Sequence, residues 1–235
     1  MIKQAVILAA GEGKRMRPLT EEIPKPLIEV AGKPLIDYTL NNLKAVGVDE
    51  VIIIVGYLKE KIIDHLSSYT DMKIDFVVQD KKRGTAHAIG LSKPYITGDF
   101  LVLNGDVVLQ TQALVDLVSN HVDNEVSIMC EEVEDARPYG VLMLEDTLVT
   151  NIIEKPENPP CNIVNAGSYI FPKRIFDAID QTELSQRGEL EIVDSINILI
   201  NQGLRVRSNL YENPRAEITK PSDIEKATDW IRKNY

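Results

Sequence analysis

Apolar positions fall into short continuous runs separated by stretches of helical spacing. Gln4–Ala10 has strand character, and Pro34–Val46 follows with Ile36, Leu40 and Leu43 on one helical stripe and a proline at its start. The alternation continues with "VDEVIIIVG" (48–56) as a buried strand, "LKEKIIDHL" (58–66) as a helix and "KIDFVVQ" (73–79) as a strand. Thr85–Lys93 then reads as a helix and "GDFLVLNGD" (98–106) as a further strand. Continuous apolar strands alternating with helices predict a mostly parallel sheet covered on both faces.

The period changes after about residue 122. "EVSIMCEEV" (125–133), "YGVLMLE" (139–145), "LVTNIIEKP" (148–156) and "NIVNAGSYIF" (162–171) are strand-like runs in close succession, and "ELEIVDSINILI" (189–200) is a helix. A last helix starts at Ser222, where Ser222 and Glu225 have capping-box spacing and Ile224, Ala227 and Ile231 form an apolar stripe. The proline cluster "EKPENPP" (154–160) reads as a loop tip. The expected fold is α/β: a Rossmann-like, mixed and mainly parallel sheet with helices on both faces, joined to a smaller β-rich part within one domain, 1–235. Ligands of open α/β sheets sit at the carboxyl ends of the strands, so those ends are where chemistry is sought.

Composition narrows the function. A chain of 235 residues, 44% hydrophobic and 26% charged, buries a substantial core. The longest apolar runs are too short to cross a bilayer and the first residues lack a signal-peptide pattern, which predicts a cytoplasmic protein. Cys130 and Cys161 form no CxxC and have no nearby histidine pair, so neither a disulfide framework nor a zinc site is expected. A net charge of −10 argues against nucleic acid and anionic membranes as partners. Small anions remain suitable, because residues 1–34 carry six Lys or Arg against four Glu.

The first strand end carries Gly11-Glu12-Gly13-Lys14-Arg15-Met16-Arg17. Met16 stands where a dinucleotide fingerprint needs its third glycine, and no GxxxxGK[ST] is present. Two glycines still let the backbone turn sharply and present N–H groups to a phosphate, although a solvated turn would read the same way. Lys25, between Pro24 and Pro26, is expected to be extended with its amine aimed in one direction.

The run from Leu8 to Val30, a GxGxR loop with "PLT" followed by a "PKP" lysine, resembles the signature of the sugar-1-phosphate nucleotidylyltransferases. Further segments resemble that family in order: "QDKKRGTAHAI" (79–89), "LNGD" (103–106), "YGV" (139–141), "EKP" (154–156) and "NAG" (165–167). The likeness is strong over residues 3–171 and weaker beyond, and within the family it is nearest to the thymidylyl and uridylyl enzymes. It implies a nucleotide-binding half (1–122) and a sugar-phosphate-binding half with the C-terminal helix (123–235).

It also implies roles. Arg15 and Lys25 become the catalytic cations; Ala10, Gly11, Gly13, Gln79, Gly84 and Thr85 bind the nucleotide; Gly140, Glu154, Lys155 and Asn165 bind the sugar phosphate. Asp106 and Glu217 are assigned to Mg²⁺, Glu217 standing where relatives carry an aspartate and Arg215 where they carry a tryptophan. The chemistry suits such a set: two polyanions must be brought together for in-line attack on the α-phosphorus, which calls for positioned cations rather than a covalent nucleophile. Lys14 and Arg17 are expected to face solvent, and His87 to pack beside the base loop rather than act as a catalyst.

Two other classes stay open. A non-catalytic binding module would be expected to lack Arg15, Lys25 or Asp106, and a glycosyltransferase would usually show Asp-x-Asp where this chain has Asn104-Gly105-Asp106. Within the family, UTP or dTTP with glucose 1-phosphate or N-acetylglucosamine 1-phosphate is favoured over GTP with mannose 1-phosphate. Several relatives continue into a left-handed β-helix acyltransferase domain. With the sequence ending at Tyr235, no acetyltransferase activity is expected. Oligomeric state is open, a homo-oligomer included.

Overall fold

The structure, a computed structural model, describes residues 2–212 and 214–235. Its first half runs β1 (Gln4–Ala9), β2 (Glu29–Val30), β3 (Lys33–Pro34), α1 (Leu35–Ala45), β4 (Glu50–Val55), α2 (Lys59–Leu66) and β5 (Lys73–Val78). Then come α3 (Thr85–Gly90), β6 (Phe100–Asn104), β7 (Val107–Leu109) and α4 (Thr111–Ser119). The second half has β8 (Val126–Glu132), β9 (Gly140–Glu145), β10 (Leu148–Glu154), β11 (Ile163–Phe171), α5 (Ile175–Asp180) and α6 (Ile192–Asn201). It closes with β12 (Val206–Leu210), β13 (Arg215–Glu217) and α7 (Asp223–Asn234).

One nine-stranded sheet in the order β5-β4-β1-β6-β11-β8-β12-β10-β9 organises the chain. β5, β4, β1 and β6 are parallel, as are β8 and β12, whereas β11 runs antiparallel to both β6 and β8 and the far edge is antiparallel. The sheet is mixed as expected, with its parallel part concentrated in the first half. Alternate residues of each central strand feed opposite layers, which is why the strands read as unbroken apolar runs. Val6, Ile52, Ile54 and Val102 pack with α3, α5 and α6, while Ala5, Ile7, Ile53 and Leu103 pack with α1, α2 and α4. Strand order reverses at β1, which has β4 on one side and β6 on the other, and this leaves a crevice beyond the carboxyl ends of β1 and β6.

The C-terminal segment returns to that crevice. β13 pairs antiparallel with β7, and α7 buries Ala227 and Ile231 against Met16, Ile28, Val30 and Tyr38 beneath the first loop. Three local expectations are corrected here. Ser222 makes no side-chain cap: its backbone is helical (φ −66°, ψ −12°) rather than extended, and the Asp223 and Ile224 N–H groups instead bond to Lys220 O (2.9 Å) and Pro221 O (3.2 Å). The Asp223 carboxylate braces the approach to the helix, its Oδ2 accepting from the Thr219 N–H (2.9 Å), the Thr219 hydroxyl (2.8 Å) and the Lys220 N–H (2.9 Å). Lys25 is not extended either: it opens a single 3-10 turn, Lys25–Leu27, closed by Leu27 N–H on Pro24 O (2.8 Å) and Ile28 N–H on Lys25 O (3.1 Å). The helix expected over 85–93 ends at Gly90 and gives way to turns over 91–95, in which Pro94 has no N–H to carry a helix on.

Candidate active site

A cleft of about 450 Å³ occupies the crevice, lined by the β1 loop (Ala10, Gly11, Gly13, Arg15), Lys25, Asp106 and the base-loop residues Gln79, Gly84 and Thr85. Residues predicted from four separated segments therefore share one cavity. Gly13 lies at φ +60°, and a Cβ there would come within 3.2 Å of the Lys25 Cβ, so the loop turns closely over that lysine. The N–H groups of Gly11, Glu12 and Gly13 make no hydrogen bond among the described residues, leaving donors on the cleft wall. Arg15 is exposed at the rim and makes no ion pair among the described residues. Arg17 is exposed as expected, whereas Lys14, though 73% exposed, borders the cleft and lies 3.4 Å from Glu12.

Of the charged residues lining the cleft, Lys25 is the buried one. Its side chain is 10% exposed, and Nζ donates to Asp106 Oδ2 at 2.5 Å. An unpaired ammonium at that depth would be costly, so the carboxylate at the end of β6 is what lets a cation sit beneath the loop. Asp106, 37% exposed, keeps its other face toward the cleft. The corner can take a hard divalent cation on Asp106 Oδ1, which makes no hydrogen bond among the described residues while Oδ2 holds Lys25. Glu217 sits in register with Val107, next to Asp106, but its Oε2 accepts from Tyr139 OH (3.2 Å) and lies 3.6 Å from Arg215.

Another His/carboxylate cluster, Asp99, His121 and Asp123, lies at the opposite end of the sheet beside Lys3 and Gln4. Both ring nitrogens of His121 are engaged, with Ser127 Oγ (2.9 Å) and Asp99 Oδ2 (3.0 Å), so it ties the starts of β6 and β8 together.

The base loop is pinned to the second half. Leu190 N–H donates to Arg83 O (2.7 Å), Ala86 N–H to Leu190 O (2.9 Å) and Ile192 N–H to Thr85 Oγ1 (3.0 Å). Gly84 has φ +106°, and a Cβ there would fall 2.3 Å from Leu190 O. Gly84→Ala is therefore expected to cost about 2 kcal/mol or more and to loosen the loop. A lower Tm together with a raised nucleotide KM would bear this out, and an unchanged Tm would refute it.

The sugar-phosphate candidates gather on the second half. Lys155, at φ +45° after β10, points its ammonium to Glu154 Oε1 (3.0 Å), which Arg187 also reaches at 3.3 Å. Arg187 pairs further with Glu191 at 3.1 Å. Burial, then the nearby Glu154 carboxylate, push the Glu191 acid above its usual range; Asp194 is raised by the same two causes. Gly140 leaves room for Glu154, whose Oε2 lies 3.1 Å from where a Cβ would stand. Asn165 spends its side chain on the β11 bulge, donating to Tyr169 OH and accepting from Gly167 N–H (2.8 Å).

Two charged residues join the site that the sequence reading did not single out. Lys82 spans the cleft to Glu12 at 2.6 Å, and its hydrogen bond is the main reason Glu12 is held below the usual carboxylate range. Arg187 belongs to the same loop as Glu189, which lines the cleft. Their signal was positional: each is a basic residue a few places from a glycine in a loop leading into a helix.

A switch-point cleft with free backbone donors, an unpaired arginine and a buried lysine–carboxylate pair defines a phosphate-handling α/β protein. The nucleotidyl transferase family model matches residues 4–213, and the chain belongs to that family. It is 38% identical over 232 residues to the bifunctional protein GlmU of Methanocaldococcus jannaschii, covering 97% of this chain and 54% of the relative. It is 37% identical over 230 residues to the UTP–glucose-1-phosphate uridylyltransferase AglF of Haloferax volcanii, covering 95% and 94%. The chain thus spans about half the length of the GlmU relatives and nearly all of AglF. Among solved structures, a putative glucose-1-phosphate thymidylyltransferase from Bacillus anthracis superposes with a TM-score of 0.88 at 26% identity over 99% of this chain and 96% of that one. A UDP-glucose pyrophosphorylase complexed with UDP-glucose shares the fold, with a TM-score of 0.84 at 24% identity over the full length of both chains. No helix among the described residues is long and apolar enough to cross a membrane.

Proposed function

We propose that this chain transfers a nucleotidyl group from a nucleoside triphosphate to a sugar 1-phosphate, releasing pyrophosphate and forming a nucleotide sugar. UTP or dTTP is the favoured nucleotide, and glucose 1-phosphate or N-acetylglucosamine 1-phosphate the favoured sugar. The observation that carries the reading is the Lys25–Asp106 pair at the floor of a cleft whose rim holds Arg15 and unsatisfied backbone donors. The names borne by AglF and the Bacillus anthracis protein point the same way.

In this reading the β1 loop, with Ala10, Gly11 and Gly13, seats the triphosphate, and Arg15 stabilises departing pyrophosphate. Gln79, Gly84 and Thr85 receive the base. Lys25, released from Asp106, neutralises the charge that crowds together as the sugar phosphate approaches the α-phosphate. Asp106 and Glu217 would hold Mg²⁺, which when bound supplies charge neutralisation and Lewis acidity at phosphate oxygens. The sugar-phosphate oxygen is already ionised at neutral pH, so no side chain need act as a strong base. Lys155, with Arg187 beside it, anchors the sugar phosphate, while Glu154, Asn165 and the Gly140 backbone border the sugar.

Testing four triphosphates against the 1-phosphates of glucose, N-acetylglucosamine and mannose for pyrophosphate release identifies the pair. UTP or dTTP with a gluco-configured sugar is expected; GTP with mannose 1-phosphate as the best pair would overturn the substrate assignment. Lys155→Ala is expected to raise the KM for sugar phosphate about tenfold, one lost charge-assisted hydrogen bond, with turnover changing little. Unchanged saturation by sugar phosphate would make Lys155 a turn residue.

A further inference from the structure

Gln79 lies at the carboxyl end of β5, 7% exposed, with its backbone held by Val55 O at 2.8 Å. Its amide faces two neighbours: Nε2 lies 3.4 Å from Gly84 O and 3.0 Å from His87 Nδ1. A carbonyl can only accept, so the side facing Gly84 must be the NH2 group. With the second hydrogen directed at His87 Nδ1, that nitrogen is an acceptor and the ring proton resides on Nε2. Burial and, secondarily, Arg83 lower the His87 pKa, which favours this neutral ring. Both amide hydrogens are then used, and the unengaged part of Gln79, a residue that lines the cleft, is its Oε1.

We propose that His87 is a positioning residue for base selection: by accepting from Gln79 it locks the amide so that the base meets a hydrogen-bond acceptor. The inference rests on the reading of Gln79 as a base contact. A base carrying a ring N–H satisfies Oε1, as uracil and thymine do through N3–H and guanine through N1–H. Cytosine presents a bare N3, and two acceptors would face each other. Without His87, the weak 3.4 Å contact to Gly84 alone opposes rotation of the amide by half a turn, which would present NH2 to cytosine instead.

Equilibrium dissociation constants of UTP, dTTP and CTP, measured by calorimetry with magnesium chloride, test this without requiring turnover or the right sugar. UTP and CTP share ribose and triphosphate, so their ratio isolates the base; where dTTP is the better nucleotide, dCTP, which shares its deoxyribose, takes the place of CTP in the ratio. Wild type is expected to prefer the better of UTP and dTTP over CTP, and His87→Leu to shrink that preference about tenfold, the scale of one mispaired hydrogen bond. His87→Ala serves if the leucine variant does not fold. His87→Asn, whose Oδ1 can accept near the position of Nδ1, is expected to retain the preference, a rescue that a purely packing role would not give. The proposal fails if wild type shows no preference, if the non-accepting variants keep it, or if His87→Asn loses as much as His87→Leu. Gln79→Leu separates the causes: preference lost there but kept in His87→Leu removes only His87's role, whereas preference kept in both removes the base-contact reading as well.

Discussion

Lys25→Ala is expected to lower turnover by about 100- to 1,000-fold, the usual effect of removing one preorganised electrostatic donor from a transition state. The fold should survive. Lys25 lies in a single turn braced by Pro24 and Pro26, and the carboxylate it would leave behind, Asp106, is exposed enough to be hydrated. Its loss should appear in kcat more than in KM, because charge between the α-phosphate and the incoming phosphate is greatest in the transition state. Circular dichroism alongside steady-state kinetics checks both halves. A folded variant retaining more than about a tenth of wild-type turnover, against the loss such donors normally cause, would remove Lys25 from the reaction.

Asp106→Asn is expected to be as damaging and to shift the magnesium requirement. The neutral amide keeps the shape but surrenders the charge, so it neither partners Lys25 as an anion nor offers the hard carboxylate that a divalent ion prefers. Activity titrated with magnesium should need far more metal or stay near background. Glu217→Gln in the same titration shows whether the second carboxylate takes part, since its Oε2 is otherwise held by Tyr139 and Arg215. A requirement shifted in both variants supports a shared ion. If Glu217→Gln titrates like wild type, Asp106 and the triphosphate hold the metal alone, and if Asp106→Asn does so too, the metal assignment fails.

The sheet was readable because β1, β4 and β6 are covered on both faces and so leave unbroken apolar runs such as "VIIIV". β13 was not, because three residues paired to β7 across more than a hundred positions leave no local pattern. α4 was missed although Ala113, Leu114 and Leu117 share a buried face, since it follows hard on β7 with no capping side chain to mark its start. The site divides similarly. Glycines and proline-flanked lysine announce unusual backbone, which sequence shows, whereas the pairing of Lys25 with Asp106 over 81 residues and of Arg215 with Glu131 over 84 is made by topology. The arginine that stands in place of an expected tryptophan is itself accounted for only in three dimensions: its side chain is buried and bonded to Glu131 (2.6 Å) and Ala166 O (3.0 Å), and its guanidinium carbon lies 5.4 Å from the Tyr139 ring centroid. Lys82 and Arg187 look like ordinary loop charges until the fold brings their partners to them.

Pyrophosphate release with and without sugar 1-phosphate tests the central claim most directly, that the cleft serves direct transfer between two bound phosphates with no covalent nucleophile. Using the substrate pair selected above and magnesium, release should require both substrates and match the nucleotide sugar formed, one for one. A burst of pyrophosphate equal to the enzyme concentration in the absence of sugar phosphate would reveal a nucleotidyl-enzyme intermediate and contradict the account.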